Sequence, residues 1–210
     1  MAPEEIEALF TRDDGQFAFA RWGRAVAPVV FGVEERTLAV VKGAFEAVAA
    51  LTGHPLAETD PELGSNCMVF FFRDWAELLS VPGLDRLLPG LGPLVERLTV
   101  SQASQYRAFR FDDRGAIRAA FVFLRMDDAM SSQPAQTLAL AQVVQVTLLW
   151  SQGAFRDRSP LAAAGDTVIL RPDIAGLIAA AYDPVLPAAA KDRSHALRLF
   201  ARMRQSEGRA

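Results

Sequence analysis

A chain of 210 residues with 51% hydrophobic and 22% charged side chains has the make-up of one large globular domain and is long enough to bury a sizeable core. Its net charge of −3 and pI near 5.5 supply no basic field to gather nucleic acid, so no nucleic-acid partner is expected. One cysteine, Cys67, and two histidines exclude an intramolecular disulfide and a Cys/His zinc framework.

The opening "MAPEEIEALF" carries Glu4, Glu5 and Glu7 where an export signal needs basic residues and then an apolar run. That predicts a cytoplasmic location for the chain as it stands, and an envelope location only if it is a trimmed piece of a longer one. No uninterrupted apolar run approaches the roughly 18 residues of a membrane helix, so no transmembrane segment is expected. The expected organisation is an N-terminal extension over 1–16, a single domain over 17–190 with a helical insertion at 75–103, and a C-terminal amphipathic helix and tail over 191–210.

Residues 17–31 mix alternation with β-branching and read as one or two strands, Pro28 favouring an edge or a bulge. "EERTLAVVKGAFEAVAALTG" places Leu38, Val41, Phe45, Val48 and Leu51 at helical spacing with Gly53 just past the end, and predicts a helix. "CMVFFFRD" is an apolar run of strand length. The pieces "WAELL", "LDRLL" and "PLVERLTVSQA", broken by Pro82, Gly83, Pro89, Gly90, Gly92 and Pro93, form the helical insertion packed over the sheet. "SQYRAFRFDDRGAIRAAFVFLRM" is two strands joined at Asp-Asp-Arg-Gly, the second arm, Ile117 to Leu124, well buried.

"LALAQVVQVTLLW", residues 138–150, reads as a helix between Pro134 and Gly153, with Leu138, Val144 or Gln145, Leu148 and Leu149 on one apolar face. "DRSPLAAAGDTVILRP" reads as a loop and "DIAGLIAAAY" as a short helix. The last helix, "KDRSHALRLFARMRQ", sets Arg198 and Arg202, with Arg193, Arg204 and Arg209 nearby, opposite Leu197, Phe200 and Met203. Its basic face is either solvated or meets an anionic surface. The order implies an α+β fold, a central mixed sheet flanked by helices.

A sheet whose last strands lead into a long helix, a Ser-x-hydrophobic turn and a helix ending in Tyr resembles the zincin-like metalloproteases, in particular the metzincins. In that family the long helix carries His-Glu-x-x-His and the turn beneath the metal is Ser-x-Met. Ala141, Gln142 and Gln145 fall on the motif helix, Ser159-Pro160-Leu161 on the turn, and Leu170 to Ile174 through Tyr182-Asp183-Pro184 on the closing helix. "AQVVQ" and "AYDP" are more similar to an uncharacterised family of bacterial envelope proteins with a degenerate zincin-like pattern. Arg21-Trp22, Leu51 to Gly53 and Asn66 also resemble that pattern. The chain departs from the family's active members: Ile174 stands at the acidic position, with Asp173 one residue early, and "AQVVQ" has no carboxylate. The resemblance therefore implies a shared shape without the activity.

A catalytic zinc needs three His, Cys or carboxylate ligands, and two on one helix need positions i and i+4. Those positions hold Ala141, with no donor, and Gln145, whose amide is a poor zinc ligand; Gln142 has no oxygen basic enough to deprotonate water. No catalytic, metal or cofactor residue is therefore assigned. The cleft of the degenerate scaffold is expected to be lined by Gln142, Gln145, Ser159 and Tyr182.

Other polar residues read more simply as structure. His54, Glu58, Asp60 and Glu62 sit in what reads as a solvated loop rather than a cation site. Cys67 reads as a buried small hydrophobe, Asp112 and Asp113 as turn residues, and Asp127 and Asp128 as helix-capping or loop residues. Two functional readings remain. One is a non-catalytic binding or interaction protein, a pseudoenzyme, with an unidentified protein or small-molecule partner. The other is a metal-independent hydrolase drawing on Ser159, His195, Asp173 or Cys67.

Overall fold

The computed structural model describes residues 1–165 and 167–207. The chain runs through α1 (Pro3–Phe10), β1 (Phe19–Ala20), β2 (Pro28–Phe31), α2 (Glu35–Thr52) and β3 (Cys67–Phe72). A 3₁₀ helix at Trp75–Ser80 and the helices α3 (Leu84–Leu87) and α4 (Leu91–Val100) lead to the hairpin of β4 (Gln105–Phe111) and β5 (Ile117–Arg125). Then come α5 (Asp128–Ser131), α6 (Ala135–Thr147), β6 (Leu161–Ala164), β7 (Thr167–Leu170), α7 (Pro172–Ala181), β8 (Ala189–Ala190) and α8 (Ser194–Glu207).

The fold is α+β with a mixed sheet flanked by helices, as the order of elements predicts. The sheet has the order β2-β3-β5-β4; β2, β3 and β5 are parallel, and β4 is antiparallel at the edge. Strands buried on both faces need apolar residues at every position, and β3 and β5 supply them. Cys67, Val69, Val122 and Leu124 face the α2 and α6 side, while Phe70, Phe72, Phe121 and Phe123 face the 75–100 helices. Gly53, at φ +63°, ends α2 in the left-handed region. Gly32 permits a close approach: a Cβ there would lie 2.3 Å from the Phe71 carbonyl oxygen, at φ +80°.

Asn66 ties the first crossover to the sheet. Its Oδ1 accepts from the Ala27 N–H at 2.8 Å, and its Nδ2 donates to the Ala25 carbonyl and to Asp60. Asp60 accepts further bonds from the Glu62 and Leu63 N–H groups and from Arg24. Burial alone would raise its carboxyl, yet these donors hold it below the usual carboxylate range. The 53–66 loop, expected to be solvated, is therefore anchored by a carboxylate only 5% exposed.

Three expectations change. Leu161–Ala164 and Thr167–Leu170 pair as the β6–β7 hairpin instead of a loop, with Gly165 at φ +61°. The 138–150 helix begins at Ala135 and ends at Thr147, because Leu148 turns extended and bridges Arg21. On α8 the buried face is Ala196, Leu199 and Met203, at i, i+3 and i+7, and Leu197 is exposed. Arg193 pairs with Glu7 and Arg202 with Asp183, so much of that basic face is engaged within the chain; Arg209 lies outside the described residues. Among the described residues no helix is long and apolar enough to cross a membrane.

α1, in the segment expected as an extension, carries Ile6 and Phe10 into the main core beside α8. There His195 is 1% exposed, its ring 4.4 Å from that of Phe19, and both ring nitrogens are buried without a partner. Burial, with a smaller push from Arg198, lowers its pKa to about 4. A group whose folded pKa is depressed below its unfolded value of 6.5 binds more protons when unfolded. Its contribution is therefore complete above pH 6.5 and is lost as the pH falls towards about 4, by on the order of 3 kcal/mol. His54, also lowered by burial, adds in the same direction. Denaturant melts of wild type and His195→Leu between pH 7 and pH 4.5 should show most of this slope removed in the variant; an equal slope would contradict the assignment.

Candidate functional site: a cleft between the sheet edge and α6

α6 packs against α2 along its length and is fixed at its C-terminal end by hydrogen bonds. The last carbonyls of a helix have no partner within it, and here three aromatic side chains supply donors. Trp150 Nε1 donates to the Val144 carbonyl at 2.9 Å, Trp22 Nε1 to Val146 at 2.8 Å, and Tyr182 Oη to Thr147 at 2.8 Å. Burial raises the Tyr182 phenol well above its ordinary range, so it remains a donor.

With the helix so placed, Leu138, Ala139, Val143 and Val146 are buried against α2 and the sheet. Ala141 and Gln145, one turn apart, and Leu149, just past the helix end, are left facing an open cleft of about 910 Å³. Its opposite wall is formed by Trp150, Phe155 and the turn up to Pro160. The ring of Trp150 is stacked on Phe10 at 5.2 Å and met by Phe155 at 4.9 Å, which makes that wall rigid.

The remaining wall is β4, an edge strand. The Arg125 N–H donates to the Ser104 carbonyl directly opposite it. Bonded pairs alternate along an antiparallel ladder, so Tyr106, Ala108 and Arg110 spend their backbone groups on β5. The N–H and C=O groups of Gln105, Arg107 and Phe109 therefore point away from the sheet, along the cleft; of these, the Phe109 carbonyl already accepts from Arg110 Nη1 at 3.2 Å. Their side chains lie on the α6 face, paired in register with Leu124, Val122 and Ala120.

A polar cluster joins this strand to the helix. Arg107 Nη2 donates to Gln142 Oε1 at 2.5 Å and to Gln105 Oε1 at 2.8 Å, and Gln142 Nε2 donates to Gln105 Oε1 at 3.1 Å. Gln142 is only 6% exposed. Burial pushes the Arg107 guanidinium down to about 10, which leaves it cationic at neutral pH.

The sequence-predicted residues separate. Gln145 and Ser159 line the cleft, and Gln142 closes its base through Arg107. Tyr182 lies on the far side of α6, beside His54 and a gap of about 30 Å³, room for about one water. Ser159 Oγ accepts from the Leu161 N–H, Asp173 is paired with Arg158 and Arg171, and Cys67 is fully buried with its thiol pushed up to about 12 by burial. No hydrogen bond joins any two of Ser159, His195, Asp173 and Cys67 among the described residues. Nor, among those residues, do three or more His, Cys, Asp or Glu side chains gather to hold a metal ion. Arg107, Gln105, Trp150 and Phe155 were missed by sequence reasoning. The alternation of "QYRAFRF" carried the one available signal, an arginine on the sheet face that also bears Phe109.

The Arg107–Gln142 bond is expected to couple β4 to α6. Gln142→Leu leaves a desolvated cation short of an acceptor and should cost about 1–3 kcal/mol. Once Arg107 is Met, the same substitution should cost at least about 1 kcal/mol less. A double-mutant cycle by chemical denaturation measures this, and additive losses would contradict the contact. Searches against protein-family models, curated proteins and solved structures find no match to this chain.

Proposed function

We propose that the protein is a non-catalytic binding module whose ligand lies in the cleft between β4 and α6. The observation that carries this reading is a cleft of about 910 Å³ with a bare strand edge along one wall. An extended segment laid beside β4 would pair with the backbone of Gln105 and Arg107 and with the Phe109 N–H, an affinity that needs no reactive side chain. Trp150, Phe155 and Leu149 offer apolar surface for its side chains.

A degenerate zincin-like scaffold fits the same arrangement. Parallel strands, an antiparallel edge strand and a helix below it are the parts that such a scaffold needs. Ala141 and Gln145 stand one turn apart on the cleft floor, at the positions the resemblance assigns to two helix ligands. Gln142, at the position of the general base, instead has its amide oxygen bonded to Arg107. These residues support a pseudoenzyme over a zinc protease. Among the described residues the hydrolase alternative has no hydrogen-bonded pair of candidate residues to favour it.

The test is selection of a displayed random linear-peptide library on the immobilised full chain. Binders are expected, and Ala141→Trp, which fills the cleft floor from a half-exposed position, should weaken them at least tenfold while leaving the melting temperature within a few degrees. Recovery only of binders indifferent to Ala141→Trp would contradict the reading.

A further inference from the structure

We infer that the cleft receives a carboxylate, and that Arg107 is the group that holds it. The inference rests on the binding reading above and narrows the ligand to an extended peptide with an acidic side chain or a free C-terminus beside β4.

The first argument is the company Arg107 keeps. Of the other half-buried arginines, Arg24, Arg118, Arg125, Arg171 and Arg202 meet acids, Arg21 meets the Trp22 and Leu186 carbonyls and the Tyr182 ring, and Arg12 shares the cleft with Arg107. Arg107 meets two amide oxygens, those of Gln105 and Gln142. Such carbonyls orient a guanidinium without cancelling its charge. A Glu at either position would have closed the site on itself; an amide leaves it open.

The second is unspent capacity. Arg107 Nε is buried with no partner, and Nη1 makes no hydrogen bond among the described residues. A guanidinium carries five donors in a planar fork that matches a carboxylate, and a buried orphan donor costs about 1–3 kcal/mol until it is met. A carboxylate docking on the fork, with a small shift of the side chain, supplies the counter-charge that the two glutamines do not.

Charge distribution is the third. The chain carries −3 overall, yet the described cleft lining holds Arg12, Arg107 and Arg156 against one acid, Asp157. Arg12 and Arg156 make no ion pair among the described residues. A local positive potential in an acidic protein favours an anionic ligand and repels a basic one. The outward N–H and C=O of Arg107 lie at the same point on the strand, so backbone pairing and carboxylate capture coincide.

The experiment uses three pools of N-acetylated heptapeptides, randomised over neutral residues and differing at two points. One has central Glu and an amidated end, one central Gln and an amidated end, and one central Gln and a free C-terminus. Each is offered to the full chain and retained peptides are measured by mass spectrometry. At least one acid-bearing pool should be retained about tenfold or more over the Gln amide pool, and which one identifies side chain or terminus as the source. Arg107→Met should erase the preference and Arg107→Lys should reduce it, with folding checked by melting temperature. Equal retention of the three pools, or a preference that survives Arg107→Met, overturns the inference. If the pools are retained equally and lost in Ala141→Trp, the carboxylate inference alone falls. If none is retained by the wild type, the binding reading falls with it.

Discussion

The arrangement depends on how the end of one helix is finished. Each of three C-terminal carbonyls of α6 is met by an aromatic donor from a different part of the chain, Trp22, Trp150 and Tyr182. Each bond contributes about 1 kcal/mol net, whereas leaving a buried carbonyl unmet costs about 1–3 kcal/mol. The constraint is therefore stronger than the sum of its bonds suggests. It joins the 19–22 segment, the turn after α6 and the end of α7 at one place, and sets the distance between α6 and the sheet edge.

From that spacing the cleft follows. α6 is buried on the sides that meet α2 and the sheet, so Ala141 and Gln145 are left facing the cleft, with Leu149 just past the helix end. β4, at the edge of the sheet, turns alternate backbone groups outward above these residues. Edge strands invite pairing and are usually blunted or covered; here the 150–160 segment stands across the gap instead of filling it. Arg107 bridges strand and helix through neutral amides, which keeps a positive charge at the base of the cleft in a protein of net charge −3.

Much of the scaffold is legible in the sequence where the physics is local. The spacing of Val41, Phe45 and Val48 with Gly53 after them marks α2, and Asp112, whose Oδ1 accepts from Arg114 and Ala116, marks the β4–β5 turn. The β6–β7 hairpin is harder to read because "LAAA" lacks the β-branched residues that flag a strand, although Gly165 lies between the two strands. The cleft is least legible. Gln105 and Arg107 lie 37 and 35 residues from Gln142, and nothing in either stretch marks the partner. Tyr182, placed in the cleft by resemblance, is instead drawn behind α6 by the Thr147 carbonyl. Asp60 resembles a solvated loop acid until Asn66 and two backbone N–H groups are seen to converge on it.

The central claim is that β4 turns unpaired backbone N–H groups at Gln105, Arg107 and Phe109 to the cleft. Amide hydrogen exchange of the full chain, read residue by residue by NMR, tests it most directly. The account predicts alternation, with fast exchange at Gln105, Arg107 and Phe109 and strong protection at Tyr106, Ala108 and Arg110. Uniform protection along Gln105–Phe111 would mean that the edge is already covered, and would contradict it.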